Sequence, residues 1–244
     1  FFSFKKIGAN CGALSQHGAV DVNGMVFWIS QCGFYVYDGT VKKLDCTVQK
    51  SYFEVSGAHL IDFSQKEKIF TGVNARFNEI MWFVPTTSGE CDRYVTFNYL
   101  YDQWYDGNLD RTTWEDAIIY SYPMATPTST NRIFDHEIGA NADGQNLKSL
   151  LQSGFFDIGD GQDIMFLDQI FPDVDALQDT DMKLTIKTRK APNQTTIDKG
   201  PYRIGPATGF VNVRARGREM SLLFEVSGVD SKWELGDMSI RVKP

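Results

Sequence analysis

Histidine and cysteine are scarce in this chain, and neither occurs at the spacing of a metal site. The cysteines form no CxxC pair and the histidines are scattered, whereas zinc sites use closely spaced pairs of these residues. The tripeptide Asp135-His136-Glu137 holds three ligand types, but neighbouring residues of a strand point to opposite faces. We therefore expect neither a metal nor any other cofactor, and we expect free thiols rather than disulfides. The residues concerned are His17, His59, His136, Cys11, Cys32, Cys46 and Cys91.

The chain also lacks the short motifs of common enzymes. It contains no Gly-x-Ser-x-Gly nucleophile elbow and no Gly-x-x-x-x-Gly-Lys-Ser/Thr phosphate loop. A glycosidase remains possible because its two carboxylates can lie anywhere in a sequence that has 31 acidic residues. No apolar run is long enough to span a membrane, and no signal peptide is visible. The sequence therefore favours a protein that is not an enzyme.

Short alternating segments dominate the chain, and 14% of its residues are aromatic. Aromatic side chains favour strands, and Asn-Gly or Asp-Gly pairs punctuate the segments as turns do. The pattern predicts an all-β fold built as an antiparallel meander, with one weakly helical segment at residues 49–63. The predicted strands are 20–22, 25–29, 33–37, 40–44, 69–73, 79–84, 93–99, 116–120, 132–134, 147–158, 163–171, 182–188, 209–215, 220–226 and 238–242.

Two stretches of the first half repeat one pattern. A strand that contains Trp28 or Trp82 is followed by a tyrosine-rich strand and an Asp-Gly turn, and the two tryptophans lie 54 residues apart. This interval suits large propeller blades, although a propeller needs at least four blades; a plain sandwich is the alternative. We predict a propeller-like region at 1–122, a proline-containing linker at 123–131 and a β-sandwich or platform domain at 132–244. The chain does not begin with Met, which fits a fragment, a processed product or the ordered part of something longer.

Charge is divided into two adjacent blocks. Residues 135–181 hold eleven acidic residues and one basic residue, whereas residues 183–218 hold nine basic residues and one acidic residue. Such blocks suit either self-assembly, in which one subunit faces its neighbour, or two solvated faces of one sheet. Within the acidic block, Asp157, Asp160 and Asp163, with the nearby Asp143, could supply oxygens to Ca²⁺. Their spacing is not that of an EF-hand, and Asx turns are the better interpretation.

The tail of the chain carries three alternating arginines. Arg214, Arg216 and Arg218 would share one face of a regular strand, where they repel each other unless they meet carboxylates, phosphate or a neighbouring subunit. Gly217 offers a place for a bulge that redirects Arg218. The net charge of −7 argues against strong DNA affinity. We therefore predict that Arg214 and Arg216 face carboxylates, in their own domain or in the next subunit, and that residues 209–242 form a hairpin.

The tail also resembles a known family. Val213-Arg-Ala-Arg-Gly-Arg-Glu-Met-Ser-Leu, followed by Trp233-Glu-Leu-Gly-Asp-Met, is similar to the C-terminal region of the tail nozzle proteins of short-tailed bacteriophages. These proteins are also called tail tubular or packaged-DNA stabilisation proteins. Further similar segments are Gly33-Phe-Tyr-Val-Tyr-Asp-Gly, Asn98-Tyr-Leu-Tyr-Asp-Gln-Trp, Arg111-Thr-Thr-Trp, His136-Glu-Ile-Gly with Asp143-Gly, and Ser153-Gly-Phe-Phe-Asp-Ile-Gly.

The resemblance implies a structural protein of the virion tail, assembled in the host cytoplasm. It implies a propeller-like region and a β-rich platform, arranged as a ring of six copies below the portal and adaptor. Double-stranded DNA would pass through the ring without sequence recognition, and an acidic lumen would let it slide. No catalytic residue is implied. Two other functions remain open: a carbohydrate-binding or carbohydrate-cleaving tail-associated protein, and a monomeric propeller adaptor that binds another protein.

Overall fold

The protein is built from short strands in several antiparallel sheets. A computed structural model describes residues 3, 5–159, 161–176 and 182–243. Strands account for 47% of the structure and helices for 6%, which confirms the predicted all-β class. The sheets of this described part include no closed barrel. Within the same ranges, no helix has the length and apolar character needed to cross a membrane.

Contacts along the chain divide it into two compact units, unit 1 (Phe1–Ile138) and unit 2 (Gly139–Pro244). The strands of unit 1 are β1 (Ala19–Val22), β2 (Met25–Ser30), β3 (Gly33–Tyr37), β4 (Val41–Lys43), β5 (Phe70–Asn74), β6 (Glu79–Pro85), β7 (Cys91–Asn98), β8 (Gln103–Asn108), β9 (Thr113–Glu115), β10 (Met124–Thr126) and β11 (Phe134–Asp135). Its helical segments are α1 (Gln49–Phe53) and two 3-10 segments, Phe63–Lys68 and Ala75–Phe77. The strands of unit 2 are β12 (Ser149–Gln152), β13 (Met165–Phe171), β14 (Val174–Ala176), β15 (Met182–Arg189), β16 (Ile197–Ile204), β17 (Val211–Gly217), β18 (Glu219–Val226), β19 (Trp233–Leu235) and β20 (Ser239–Lys243).

The division between the units falls after Ile138, beyond the linker predicted at 123–131. Strand β10 lies inside that segment and pairs with β9 and β11. Pro123 and Pro127 flank it, so the prolines interrupt the sequence pattern while leaving three residues free to pair. The small sheet β11-β10-β9 therefore belongs with unit 1.

Two four-stranded meanders form most of unit 1. Their strand orders are β1-β2-β3-β4 and β5-β6-β7-β8, so each strand pairs with its neighbour in sequence. Both contribute to one core, in which Trp82 is fully buried. The Trp82 ring lies 4.7 Å from the ring of Phe34 and 6.0 Å from that of Trp104. Its indole N–H donates to the carbonyl of Gly18 at 3.2 Å, which satisfies the polar atom of this buried side chain.

Strand β6 is covered on both faces. One face carries Trp82 into the main core, and the other carries Phe83 into a smaller cluster that Trp114 of β9 closes. A Cβ placed on Gly72 would lie 2.6 Å from the Trp114 ring, so the glycine lets the indole approach the backbone. Every residue of β6 after the first is therefore buried, and the strand reads as a continuous apolar run.

Two predictions made for unit 1 need correction. Residues 116–120 are a turn rather than a strand, because the Asp116 carboxylate accepts the backbone N–H groups of Ala75 and Ala117. The isoleucines of this turn, Ile118 and Ile119, are 80% and 82% exposed. The helix predicted at 49–63 is present only as α1.

Unit 2 has two larger sheets and one ribbon. The strand orders are β12-β18-β15-β16 and β17-β13-β20, and β14 pairs with β19 as a two-stranded ribbon. One core cluster takes its buried side chains from both larger sheets, including Leu167 of β13, Leu184 of β15, Ala215 of β17 and Phe224 of β18. Alternating apolar residues of each sheet therefore meet on the inside of the unit.

The predicted hairpin at 209–242 is wrong. The hairpin would join the run at 209–226 to the run at 233–242 through the turn at 228–231, but β18 pairs with β12 and β15, whereas β19 pairs with β14 and β20 pairs with β13. Strand β17 pairs with β13, so the first run is itself divided between two sheets. The buried positions explain the change of sheet: they are odd-numbered in β17, as in Val213 and Ala215, and even-numbered in β18, as in Leu222 and Phe224. One continuous strand cannot bury both sets on one face.

Replacing Trp82 with Ala should lower the free energy of unfolding of unit 1 by about 3–5 kcal/mol, because it leaves a large cavity among aromatic rings. Replacing Leu100, which is 59% exposed, with Ala should change that free energy by less than about 0.5 kcal/mol. Urea denaturation followed by tryptophan fluorescence and far-UV circular dichroism measures both. Similar losses in the two variants would contradict the placement of the core.

Candidate functional site: a basic sheet face in unit 2

Strand β17 presents two arginines to solvent. Val213 and Ala215 point into the core, so Arg214 and Arg216 point outward, and both are exposed. Side chains two residues apart on a strand lie on the same face about 6.6–6.8 Å apart. The two guanidinium groups therefore stand side by side on the outer surface of the sheet.

The neighbouring strands add two further cations and one carboxylate. Asp168 of β13 accepts two hydrogen bonds from Arg241 of β20, at 2.7 and 2.8 Å. It also forms an ion pair with Lys243 of β20 at 2.9 Å. These bonds, the Arg241 contact first and the Lys243 contact second, hold the pKa of Asp168 well below its usual range. Asp168 is thus paired with cations of β20, the edge strand opposite β17.

We call the outer side of this sheet the basic face and define it by six residues. Within it, Lys243, Phe166 and Arg216 are aligned across the three strands as register partners. The face combines four cations with one carboxylate, and the half-buried Phe166 lies in its central strand. The defining residues are Phe166, Asp168, Arg214, Arg216, Arg241 and Lys243.

Arg214 and Arg216 form no ion pair or hydrogen bond with any part of the chain that the structure describes. The carboxylate of their own sheet, Asp168, binds Arg241 and Lys243 instead. The predicted pairing with carboxylates of the same domain is therefore absent among the described residues. Pairing with carboxylates of the next subunit, the other half of that statement, stays a prediction.

Arg218 does not continue the row. Its guanidinium donates to the carbonyl of Gly161, and its backbone N–H donates to the carbonyl of Arg189 at 3.1 Å. Strand β17 ends at Gly217, where a Cβ would lie 3.0 Å from that of Thr188. The glycine thus leaves room for the close approach of β15, and the chain passes there into the other sheet.

The acidic candidates belong to the segment that precedes strand β13 in the sequence. Asp157 and Asp163 are exposed and form no ion pair with Arg214 or Arg216. Asp160 lies outside the described residues. Asn141 closes a local turn, because its side-chain oxygen accepts the backbone N–H of Gly144 at 2.7 Å. Within the described ranges, no group of three or more His, Cys, Asp or Glu side chains is arranged to hold a metal ion.

A second acidic group was not singled out from the sequence. Asp175 of β14 and Glu234 of β19 are direct cross-strand partners, and both are exposed. Asp173 and Asp237 lie in the segments that connect this ribbon to β13 and β20, and both are exposed. We call these four carboxylates the acidic ribbon. Only strand pairing could bring Glu234 and Asp237 to Asp175, because they are about sixty residues apart in sequence.

In unit 1, the side chain of Asn74 brings two carboxylates close together. The Asn74 amide donates to Glu79 and to Glu137, each at 3.2 Å. Asn74 is fully buried, Glu79 is half-buried and Glu137 is exposed. Burial raises the pKa of Glu79 and nearby Glu137 adds to the effect, while hydrogen bonds from Tyr105 and Asn74 oppose it.

The tripeptide at 135–137 does not converge on one point. Glu137 contacts Asn74, while His136 Nε2 accepts a hydrogen bond from Arg111 at 3.0 Å. The His136 ring packs 4.9 Å from that of Trp114. Burial, with a smaller effect of the Arg111 charge, lowers the pKa of His136 to about 4. The imidazole is therefore a neutral acceptor inside unit 1.

A cavity of about 750 Å³ in unit 1 offers little free chemistry. Residues 57–63 line it together with Asp92, Arg93 and Asn108. Asp92 accepts hydrogen bonds from Thr86 and neighbouring residues, and Arg93 is paired with Asp106 at 2.6 Å. Asp92 and Arg93 are thus already paired with other residues of the protein.

Comparison with protein-family models and with curated proteins identified no relative. No protein-family model matches the chain, and no curated protein shows significant similarity to it.

Replacing Glu79 with Gln should stabilise unit 1 more at pH 7 than at pH 4. The folded state holds the Glu79 proton more tightly than the unfolded state does. The contribution of Glu79 to the free energy of unfolding therefore falls as the pH rises from about 4.5 through its raised pKa. Gln removes the charge that burial opposes. Urea denaturation across this pH range measures the difference in the free energy of unfolding between variant and parent. The contribution of His136, which changes with pH in the opposite direction, is common to both proteins and cancels in this difference.

Replacing the exposed Glu54 with Gln provides the matched control, and its difference from the parent should stay nearly constant with pH. A flat difference for the Glu79 variant as well would show that Glu79 does not hold its proton more tightly in the folded state.

Proposed function

We propose that this chain is a structural component of a phage tail: a nozzle protein whose copies form a ring around the DNA exit channel. The ring retains the packaged genome and then lets it pass. Arg214 and Arg216, exposed and unpaired within the described chain, carry this proposal. The resemblance of residues 213–222 and 233–238 to tail nozzle proteins supports it.

The arginine pair favours assembly for an electrostatic reason. Like charges that are neighbours on a sheet destabilise it unless an opposite charge is supplied. Their own sheet supplies one carboxylate, which the cations of β20 already bind. A neighbouring molecule with carboxylates at this surface would relieve the repulsion and would gain specificity from charge complementarity.

The proposal assigns a role to each unit. Each four-stranded meander of unit 1 has the strand number and connectivity of a propeller blade. The two larger sheets of unit 2, which share one core, form the platform. In the ring, which the family resemblance sets at six copies, the partners are the portal, the adaptor and other tail proteins.

Double-stranded DNA is the cargo of the proposed channel. The mechanism is assembly and channel electrostatics, with no catalytic step and no bound cofactor. Exposed carboxylates such as Asp157 and Asp163 would repel the phosphate backbone, so that DNA slides without sequence recognition. The protein would assemble in the host cytoplasm and act in the virion tail.

Replacing Arg214 and Arg216 together with Ala should reduce self-association without unfolding unit 2, because neither side chain contributes to the core. Sedimentation velocity over a range of concentrations, in low and moderate salt, measures the association, and thermal melting measures the fold. A double replacement of Lys190 and Lys199, two exposed cations of the same unit, with Ala is the control and should assemble like the parent.

Two results would contradict the nozzle function. One is a parent protein that stays monomeric at every concentration. The other is a reconstruction of intact phage particles in which copies of the chain do not surround the tail axis.

A second candidate function is carbohydrate binding or cleavage by a tail-associated protein. The observation that favours it is the pair Glu79 and Glu137, which share the Asn74 amide beside Tyr105. Glycosidases use two carboxylates, one of which has a raised pKa.

Incubation of the protein with bacterial surface polysaccharides tests this alternative through the release of reducing ends. A glycosidase should release them, and release by the Glu79→Gln variant should be at least about 100-fold slower than release by the parent. The Glu54→Gln variant should retain it. Absence of release, or equal release by all three proteins, would reject cleavage at this pair.

A further inference from the structure

We propose that the basic face of one copy docks on the acidic ribbon of the next copy, so that copies join head to tail. This inference rests on the proposed assembly function and names the two surfaces that meet. Both lie in unit 2, and every residue that defines them is among the described residues.

The acidic ribbon carries an electrostatic strain of its own. Asp175 and Glu234 are direct cross-strand partners, and like charges in that position destabilise a strand pair. Val174, Trp233 and Leu235 pack against the core of unit 2, which fixes the ribbon and turns the two carboxylates outward. Among the described residues, none of the four carboxylates of the ribbon has an ion pair.

The two surfaces have compatible spacing. Direct cross-strand partners hold their Cβ atoms about 4.5–5.5 Å apart, while Arg214 and Arg216 are separated by about 6.6–6.8 Å along β17. Long arginine side chains bridge such a difference, and each guanidinium can bind a carboxylate through two parallel hydrogen bonds. Arg214 and Arg216 can therefore bind Asp175 and Glu234 at the same time.

Phe166 supplies an apolar element to the same face. It is half-buried between Arg216 and Lys243. Interfaces commonly place an aromatic side chain near their centre and charged groups around it. The basic face has this arrangement without any rearrangement of the sheet.

A second copy fits both surfaces better than a nucleic acid does. A polyanion would neutralise the basic face but would leave the acidic ribbon with its repulsion. A second copy relieves both at once, because each copy offers one surface of each sign. The net charge of −7 also opposes the approach of a polyanion to the chain as a whole.

Two different surfaces in one contact give a heterologous interface. Such an interface repeats from copy to copy and closes into a ring when the rotation between copies allows it. The inferred contact is therefore of the type that a nozzle ring requires.

Two charge-reversal variants test the contact. Variant A is Arg214→Glu with Arg216→Glu, and variant B is Asp175→Lys with Glu234→Lys. Each alone brings like charges together at the interface, so its association constant should fall by about 100-fold or more. In an equal mixture, the face of A meets the ribbon of B and the face of B meets the ribbon of A. Both contacts are then complementary, and association should return to within about tenfold of the parent.

Sedimentation velocity at 50 and 500 mM NaCl measures the assembly, with near-UV circular dichroism and thermal melting as checks that each variant is folded. The matched control reverses Lys190 and Lys199 to Glu, which changes the same number of charges in unit 2 outside both surfaces. The control should assemble like the parent. A fluorescent DNA duplex, added to all four proteins, tests the competing occupant.

The outcomes separate this inference from the proposed function. Loss in A and in B with recovery in the mixture supports the contact. If the parent and both variants each assemble equally well, or if the mixture does not recover, the contact is overturned and the nozzle function still stands. Loss of duplex binding in A with unchanged assembly assigns the face to nucleic acid and also overturns it. A parent that is monomeric throughout rejects both.

Discussion

The charged surface of unit 2 depends on the two-residue alternation of strand β17. Burial of Val213 and Ala215 in the core leaves no inward position for the residues between them. Arg214 and Arg216 are therefore held outward by the same apolar contacts that stabilise the unit. A surface substitution can change the charge at these two positions. Only a one-residue shift of the strand register would bury them, and that shift would expose Val213 and Ala215.

Unit 1 uses a different arrangement of apolar surface. Its central strand β6 is buried on both faces, by the main aromatic core on one side and by Trp114 on the other. The high aromatic content of the chain is thus largely explained by packing, since most of these rings lie against one another rather than on an exposed binding surface. The exposed isoleucines at 118 and 119 are an exception for which the structure shows no contact that explains them.

Local patterns predicted much of the fold. Alternation and turn residues identified the strands around Trp28 and Trp82, because in a meander each strand pairs with its neighbour and local order determines the sheet. Strand β16 was missed because Gly200 and Pro201 interrupt its pattern, which an edge strand tolerates. The apolar residues at 116–120 indicate a strand although the segment is a turn, because its isoleucines are exposed.

The candidate surface was predictable only in part. The outward position of Arg214 and Arg216 follows from alternation alone. Their lack of a partner within the described part of the chain does not, since it depends on Asp168 meeting Arg241 and Lys243 from a strand about seventy residues further along the chain. Sequence could have indicated the change of sheet at Gly217, because the apolar positions shift from odd to even there. It could not show which strands the two halves would join.

The order of the strands in unit 2 has a consequence for folding. The strand pairings within each meander of unit 1 are local, so they can form soon after their residues are synthesised. In unit 2, Asp168 and Arg241 are 73 residues apart, and closing so long a loop makes folding slower. The sheet that carries the basic face is complete only once β20 has joined β13. A chain still being synthesised therefore lacks that surface until unit 2 has closed.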